Sequence, residues 1–238
     1  MANNYFQFKG FKILQEVCAM KVCTDSCLFG AWVKDYLSNQ VINSILDIGT
    51  GTGLLSLMLV QQFSDAVCHS IEIDKEASEE ASKNFANSKW AGRFTVFHQD
   101  FKEYNPTVKY DLIISNPPFF KNHLTSSDKK RNAAMHSDDF SLTELFSRSS
   151  NIVNDNGYLA CLIPYNRTVE TLEILKKTGW FAEKVTYVKQ TPTHDYFRTM
   201  LICRKQTYTK IEDEIIIKDN QQYTAKFSKL LQDYYLFL

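Results

Sequence analysis

The ten residues Ser44–Gly53, SILDIGTGTG, hold the pattern that decides the fold. Ser44 to Ile48 is a mostly apolar run that predicts a buried strand, and a turn rich in glycine follows from Gly49 to Gly53. Leu54 to Phe63 then continues as an apolar helix. A strand, a glycine turn and a helix in this order let the backbone approach a ligand closely and direct helix N–H groups at it. The spacing is G-x-G-x-G and not the G-x-G-x-x-G of dinucleotide folds, so a purely structural turn stays open as an alternative.

The second predicted strand ends in acidic residues. It covers Val67 to Asp74, with Glu72 and Asp74 at its carboxyl end. Glu72 stands about twenty residues after the glycines, where nucleotide-binding folds place a carboxylate that accepts hydrogen bonds from ribose hydroxyls. The alternative for Glu72 is a solvated strand end. Asp74 is expected to cap the helix from Lys75 to Asn87.

The third and fourth strands lead to one further candidate residue and a motif. Phe94 to Phe97 predicts the third strand, and Asp100 after it could accept a hydrogen bond from an adenine amino group. Tyr110 to Ser115 predicts the fourth, and Asn116-Pro117-Pro118-Phe119 follows it. Because two prolines cannot continue a central ladder, a rigid loop is expected at the carboxyl edge, where open α/β sheets bind ligands. An amide, a fixed backbone and an aromatic ring together indicate a site for a planar substrate that bears an amine.

The remaining strands complete an α/β sheet. A turn at Asn156-Gly157 is expected to lead into a fifth strand, Tyr158 to Ile163. Phe181 to Val188 and Arg198 to Arg204 are joined by a link too short for a helix, so they should pair antiparallel. We therefore predict an α/β, Rossmann-like fold with a seven-stranded, mostly parallel sheet, helices on both faces and an antiparallel last strand. Ile211 to Ile217 is a candidate for a further edge strand.

Segments at both ends extend this core. Phe6 to Ile13 alternates apolar and polar residues, which predicts a short N-terminal β-ribbon, and Tyr223 to Leu238 predicts an amphipathic helix. We expect a single domain over residues 1–238, with the ribbon extension in 1–23, the core in 24–205 and a strand and helix appendage in 206–238.

Thr24, Asp25 and Ser26 precede an apolar segment that runs to about Leu37 and predicts a helix. Their types and position favour Asp25 as the N-cap of that helix. The alternative is that Asp25 contacts a ligand over the sheet edge.

Bulk properties restrict the classes of function. The formal net charge is zero, which argues against a general polyanion binder, although Lys129-Lys130-Arg131 is a local basic segment. No apolar run is long enough for a transmembrane helix, and the first residues lack a secretory signal. The six cysteines are interpreted as free thiols of a cytoplasmic protein. The spacing of Cys18, Cys23 and Cys27 matches no zinc site, so no metal is expected. Separately, we expect the protein to be a monomer.

The glycine turn with its preceding Asp47, the acids Glu72 and Asp100, and the Asn116–Phe119 motif occur in a characteristic order and spacing. In this the chain resembles the class I methyltransferases that use S-adenosylmethionine. The resemblance extends from about Thr24 to Arg204. It implies S-adenosyl-L-methionine as cofactor, with the glycine loop at its methionine part, Glu72 at the ribose and Asp100 at the adenine. The donor-binding residues that it implies are Thr24, Asp25, Asp47, Gly49, Gly51, Gly53, Glu72, Asp100 and Asn116.

A narrower resemblance concerns the acceptor. The N-P-P-[FY] motif marks family members that methylate a planar nitrogen, such as adenine N6, guanine N2 or a glutamine amide. The Thr24–Trp32 segment and the basic Lys129, Lys130 and Arg131 resemble the bacterial tRNA adenine-N6 methyltransferases. Those enzymes modify the adenine beside the anticodon of a valine tRNA, which implies tRNA as partner and RNA contacts from the three basic residues. Phe119 stands where Tyr is frequent, which keeps a stacking ring and removes a hydroxyl.

The resemblance implies that Asn116, Pro117 and Phe119 are the catalytic residues. The Asn116 side-chain oxygen and the Pro117 carbonyl would accept the two amine hydrogens, and Phe119 would stack on the base. Three alternatives remain open at this point: a protein-glutamine N-methyltransferase, a ribosomal-RNA guanine-N2 methyltransferase, and a non-enzymatic module that binds RNA or the donor.

Overall fold

A central sheet of eight strands organises the protein. The computed structural model describes residues 4–18, 21–117 and 141–238. The strands are β1 Tyr5–Gln7, β2 Lys12–Leu14, β3 Ser44–Ile48, β4 Val67–Glu72, β5 Phe94–His98, β6 Tyr110–Ser115, β7 Val153–Pro164, β8 Phe181–Lys189, β9 Tyr196–Arg204, β10 Ile211–Ile216, β11 Lys218–Asp219 and β12 Gln222–Tyr223. The helices are α1 Thr24–Tyr36, α2 Leu54–Gln62, α3 Lys75–Ala86, α4 Leu142–Ile152, α5 Thr168–Lys177 and α6 Ala225–Leu231.

The order of strands across the large sheet is β10-β8-β9-β7-β6-β3-β4-β5. β9 is antiparallel to β7 and to β8, and every other neighbouring pair is parallel. The predicted Rossmann-like sheet with an antiparallel last strand is therefore confirmed. The proposed edge strand is also present, because β10 pairs with β8 and brings the sheet from seven strands to eight.

Helices cover both faces of the sheet, as predicted. Successive side chains of a strand point to opposite faces, so Ile45 packs with a core beneath α1, α2 and α3, whereas Leu46 packs with a core beneath α4 and α5. Burial on both faces explains why β3 and β6 are mostly apolar in sequence, without the alternation of a strand that has one solvated face.

The predicted Asp74 cap is confirmed, and Ser141 caps a second helix in the same way. The Asp74 carboxylate accepts a hydrogen bond from the Ala77 backbone N–H at 2.8 Å, at the start of α3. The Ser141 hydroxyl accepts one from the Glu144 N–H at 3.2 Å, at the start of α4.

The predicted turn at Asn156-Gly157 is wrong, because β7 is already a strand from Val153. Its pairing with β6 shifts register between Tyr110 and Leu112. A Cβ at Gly157 would lie 2.8 Å from the Tyr110 carbonyl oxygen and 2.6 Å from Val153 Cγ2. Glycine at position 157 thus lets an irregular strand pass close to its neighbour. In the sequence alone, the same glycine after an asparagine predicts a turn.

The two ends of the described chain pack together. The predicted ribbon is present as the antiparallel pair β1–β2, and the Lys9 N–H donates to the Tyr234 carbonyl at 2.8 Å. Phe8 and Tyr234 are both fully buried in the core beneath α1 and α2. The predicted terminal helix is shorter than expected, since α6 covers only Ala225–Leu231. Within the described ranges, no helix combines the length and apolar character needed to cross a membrane.

Candidate active site

The glycine turn after β3 forms the centre of the site. Gly49 and Gly53 have φ of 72° and 81°, in the left-handed region that glycine adopts without penalty. A Cβ on Gly49 would meet nothing within 4 Å, so open space lies over this residue. The turn is fixed from below, because the Gly49 and Thr50 N–H groups donate to the Ile71 carbonyl at 2.9 and 3.0 Å. Gly53 is the N-cap of α2, and Gly51 stands between the two.

Asp47 is a fully buried acid beneath this turn. Its Oδ2 accepts hydrogen bonds from the Thr50 and Ser56 hydroxyls, both at 2.7 Å, while its Oδ1 is buried with no partner among the described residues. Burial raises the pKa of the Asp47 carboxyl from 3.8 to about 6, although both hydroxyls oppose the shift. An incompletely satisfied carboxylate here favours a positive charge bound nearby.

Glu72 is the last residue of β4, and Asp100 follows β5. The carboxylates of both accept hydrogen bonds from backbone N–H groups. The Glu72 carboxylate accepts from the Gly51 N–H at 2.9 Å and from the Asp74 N–H at 3.0 Å. Burial raises the pKa of Glu72, and these backbone donors oppose the shift. Asp100 accepts from the Lys102 N–H at 2.8 Å, at the start of a short 3-10 turn. The three predicted acids therefore lie at one edge of the sheet, along β3, β4 and β5.

A segment before α1, residues 14–18, is bound beside the glycine turn by two polar residues of α3. Glu80 is buried and accepts from the N–H groups of residues 16, 17 and 18 at 2.7, 3.2 and 3.1 Å. Asn84 donates to the Leu14 carbonyl at 3.0 Å and to the Thr52 carbonyl at 2.8 Å. Sequence reasoning missed both residues. The available signal was their position among the buried α3 residues Ala77, Ala81 and Phe85.

Asn116 and Pro117 follow the neighbouring strand β6 at the same edge. Ser115 anchors the strand end, because its hydroxyl donates to the Ile48 carbonyl at 2.8 Å. Asn116 is half-buried, and its Nδ2 donates to Ser26 Oγ at 2.9 Å in the first turn of α1. This hydrogen bond orients the amide, and Oδ1 accepts no hydrogen bond from the residues that the structure describes. Pro117 is buried. The predicted residues Phe119, Lys129, Lys130 and Arg131 lie outside the described residues.

The first turn of α1 joins Asn116 to a second strand. The predicted N-cap role of Asp25 is wrong, because α1 begins at Thr24, a half-buried residue, with Cys23 in the cap position and no side-chain cap. The Asp25 carboxylate instead forms an ion pair with Arg198 Nε of β9 at 2.7 Å. Sequence reasoning missed Arg198, which lies 173 positions away. Adjacent residues of one turn, Asp25 and Ser26, thus hold the Arg198 guanidinium and the Asn116 amide.

Comparison with known proteins agrees with this geometry. The model of the methyltransferase small domain matches residues 32–191, more than half of the chain. Proteins named tRNA1(Val) (adenine(37)-N6)-methyltransferase are similar along almost the whole chain. The one from Christiangramia forsetii is 38% identical, with 99% of both chains covered. The one from Flavobacterium psychrophilum is 36% identical, with 97% of this chain and 99% of the relative covered.

Solved structures support the fold. A predicted O-methyltransferase from Agrobacterium tumefaciens is similar with a TM-score of 0.68 at 17% identity, covering 88% of this chain and 96% of that one. The methyltransferase subunit of a type I restriction-modification system from Streptococcus thermophilus has a TM-score of 0.62 at 16% identity, covering 90% and 52%. The family model and the full-length relatives show that the chain belongs to the methyltransferase small domain family and is a methyltransferase.

Proposed function

We propose that this enzyme transfers a methyl group from S-adenosylmethionine to N6 of the adenine beside the anticodon of a valine tRNA. The observation that carries the proposal is the position of Asn116 and Pro117 at the end of β6, next to the glycine turn of the paired strand β3. The names of the full-length relatives favour a tRNA adenine over a protein glutamine or a ribosomal-RNA guanine. Because its substrate would be tRNA, we expect the enzyme in the cytoplasm.

The residues at the edge of β3 to β5 fit S-adenosylmethionine. The open space over Gly49 admits the methionine part, and the buried Asp47 charge suits a ligand that carries positive groups. Glu72 retains lone pairs for ribose hydroxyls beyond its two backbone donors, and Asp100 would meet the adenine. Gly51 and Gly53 would shape the loop, and Thr24 and Asp25 would close the site from α1. Once bound, the donor supplies an electrophilic methyl group on a sulfonium.

The chain's own contribution to the transfer is to position the acceptor. An exocyclic amine is a poor nucleophile, because its lone pair is delocalised into the ring. Asn116 Oδ1 and the Pro117 carbonyl would accept hydrogen bonds from its two N–H groups and turn the lone pair toward the methyl group. The new C–N bond would form as the bond from the methyl group to sulfur breaks, which leaves a neutral thioether, and the nitrogen would lose a proton to solvent afterwards. Catalysis would then rest on orientation and electrostatics. Phe119 would stack on the base, worth about 1–3 kcal/mol, and the base must be unpaired or flipped to reach the pocket.

Nucleoside analysis tests the function most directly. Mass spectrometry of tRNA from cells with and without the gene should show N6-methyladenosine lost from the valine tRNA in the deletion strain. Purified enzyme with labelled donor should restore the mark on that tRNA. An unchanged nucleoside profile would refute the proposal, and donor binding without turnover on total tRNA would instead support a non-enzymatic module.

The Asp47 pKa predicts how donor affinity depends on pH. A bound cation favours the ionised carboxylate and lowers its pKa below the value of about 6 in the free protein. Affinity should be nearly full at pH 7 and above, and should fall as Asp47 is protonated, by about tenfold between pH 7 and pH 5. Calorimetric titration of S-adenosylmethionine across this range is the measurement. Asp47→Asn should remove the dependence, and a flat profile in the wild type would contradict the role of Asp47.

The basic segment predicts a salt dependence of RNA binding. Reversing Lys129, Lys130 and Arg131 to glutamate should weaken tRNA binding and lower the slope of log K against log salt by about two, if each residue contacts one phosphate. Filter binding between 50 and 200 mM salt, chosen as the range over which such contacts change affinity strongly, gives the slope. Equal slopes for the variant and the wild type would exclude these residues from the RNA contact.

A further inference from the structure

Three tyrosines in mutual contact form a group at the sheet edge that has no role in the proposed transfer. The Tyr165 ring lies 5.8 Å from that of Tyr187 and 5.0 Å from that of Tyr196, and the last two are 5.4 Å apart, centroid to centroid. Tyr165 is 40% exposed, and the other two are half-buried. Tyr165, Tyr187 and Tyr196 are called the tyrosine cluster below.

The cluster is held in place before any ligand binds. The Tyr187 hydroxyl donates to Glu212 at 3.3 Å, and the Tyr196 hydroxyl donates to Glu214, so β10 fixes both rings. The backbone of Tyr165 is fixed too, because its carbonyl accepts from the Thr168 hydroxyl at 2.6 Å. A preorganised aromatic surface loses little conformational entropy on binding.

Strand register places the cluster close to the acceptor motif. Ser115 of β6 pairs with Cys161 of β7, so Asn116 and Tyr165 leave neighbouring strands at the same edge. In this register Tyr165 lies three residues further along the strand direction than Asn116, which corresponds to about 10 Å. Asn116 turns toward α1 on one face, whereas Tyr187 packs with the core of the opposite face. A chain that crosses this edge can therefore contact both.

The charges around the cluster are already compensated. Lys189 lies over the Tyr196 ring, with Nζ 4.5 Å from its centroid, and pairs with Glu214 at 3.4 Å. Lys210 pairs with Glu212 at 2.6 Å, and Arg167 pairs with Glu170 at 3.1 Å. Among the residues that the structure describes, the surface therefore offers flat aromatic rings rather than unpaired positive charge, which suits a nucleobase better than a phosphate.

We propose that the tyrosine cluster stacks on an unpaired base that neighbours the methylated adenine in the RNA. This inference rests on the proposed function and adds a second contact to the same substrate. Stacking tolerates different bases, because each base presents a π face. Tyr165, the most exposed ring, makes the main contact, and Tyr187 and Tyr196 support it.

Substitutions at Tyr165 test the stacking contact. Tyr165→Ala should weaken binding of valine tRNA and raise its KM about tenfold, with donor affinity, kcat and the salt slope of RNA binding unchanged. Tyr165→Phe keeps the ring and should bind within twofold of the wild type. Tyr208→Ala is the matched control, because Tyr208 is 39% exposed and follows β9 at the opposite edge of the sheet. It should leave tRNA binding unchanged.

The outcomes separate this inference from the function on which it rests. A wild-type enzyme that leaves tRNA unmethylated refutes the proposed function. If the wild type methylates tRNA and Tyr165→Ala matches it in binding and KM, the function stands and the stacking surface is refuted. Equal losses in Tyr165→Ala and Tyr165→Phe would also overturn stacking, since they assign the effect to the hydroxyl. Stacking would also be overturned if Tyr208→Ala weakened tRNA binding as much as Tyr165→Ala does.

Discussion

Replacing Asn116 with alanine should lower kcat for tRNA methylation about 1000-fold, the scale seen when one preorganised polar contact to a reacting group is removed. The reason is that Asn116 Oδ1 would be the side-chain acceptor for an amine hydrogen, while Ser26 accepts a hydrogen bond from its Nδ2 at 2.9 Å. Donor affinity should stay within a few-fold, because the proposed donor site lies mainly at the ends of β3 to β5. Single-turnover kinetics and calorimetry measure the two quantities separately.

Two variants control for this result. Asn154→Ala removes another half-buried asparagine whose Nδ2 donates to a side-chain oxygen, that of Asp111 at 2.7 Å, at the far end of β6. It should leave kcat unchanged. Asn116→Asp retains acceptor oxygens and should keep more activity than Asn116→Ala. Loss of donor binding in Asn116→Ala would overturn the assignment of Asn116 to the acceptor.

Replacing Gly49 with alanine should weaken donor binding about 100-fold. The added methyl would occupy the open space over the turn, and an overpacked contact of this kind costs about 3 kcal/mol. The φ of 72° adds backbone strain, about 1–2 kcal/mol for an L residue in the left-handed region, which should appear as a lower Tm. Calorimetry with S-adenosylmethionine and thermal unfolding report the two effects.

Gly179 offers a matched control for the strain. Its φ is 82°, and a Cβ there would also meet nothing within 4 Å, but it follows α5, away from the donor edge. Gly179→Ala should lower Tm as much as Gly49→Ala and leave donor affinity unchanged. If both variants bind the donor like the wild type, the space over Gly49 is not part of the donor site.

The fold was predictable because its signals are local. The apolar run at Ser44–Ile48, the glycine turn and the caps Asp74 and Ser141 each depend on a few consecutive residues. The position of Asn116 at the sheet edge followed in the same way, since two prolines must end a central strand.

Contacts between distant residues could not be predicted in this way. Asp25 has the residue type and position of an N-cap, yet its carboxylate forms an ion pair with Arg198, which lies far along the chain. Glu80 accepts hydrogen bonds from backbone N–H groups more than 60 positions away. The pattern of buried residues in its helix does not predict which groups these are. The strand irregularity at Gly157 depends on Tyr110 in the neighbouring strand. Tertiary pairing decides such cases, and one sequence does not reveal the pairs.

The attachment of residues 14–18 to α3 affects when the enzyme can first bind its donor during synthesis. This segment lies beside the glycine turn through Glu80 and Asn84, and the ribbon before it is bound through Lys9 to Tyr234. A ribosome-bound chain that has not yet released residue 234 therefore lacks one support of the proposed donor site. Full affinity for the methyl donor should thus require residue 234 to have emerged, even when the whole core sheet is already outside the ribosome.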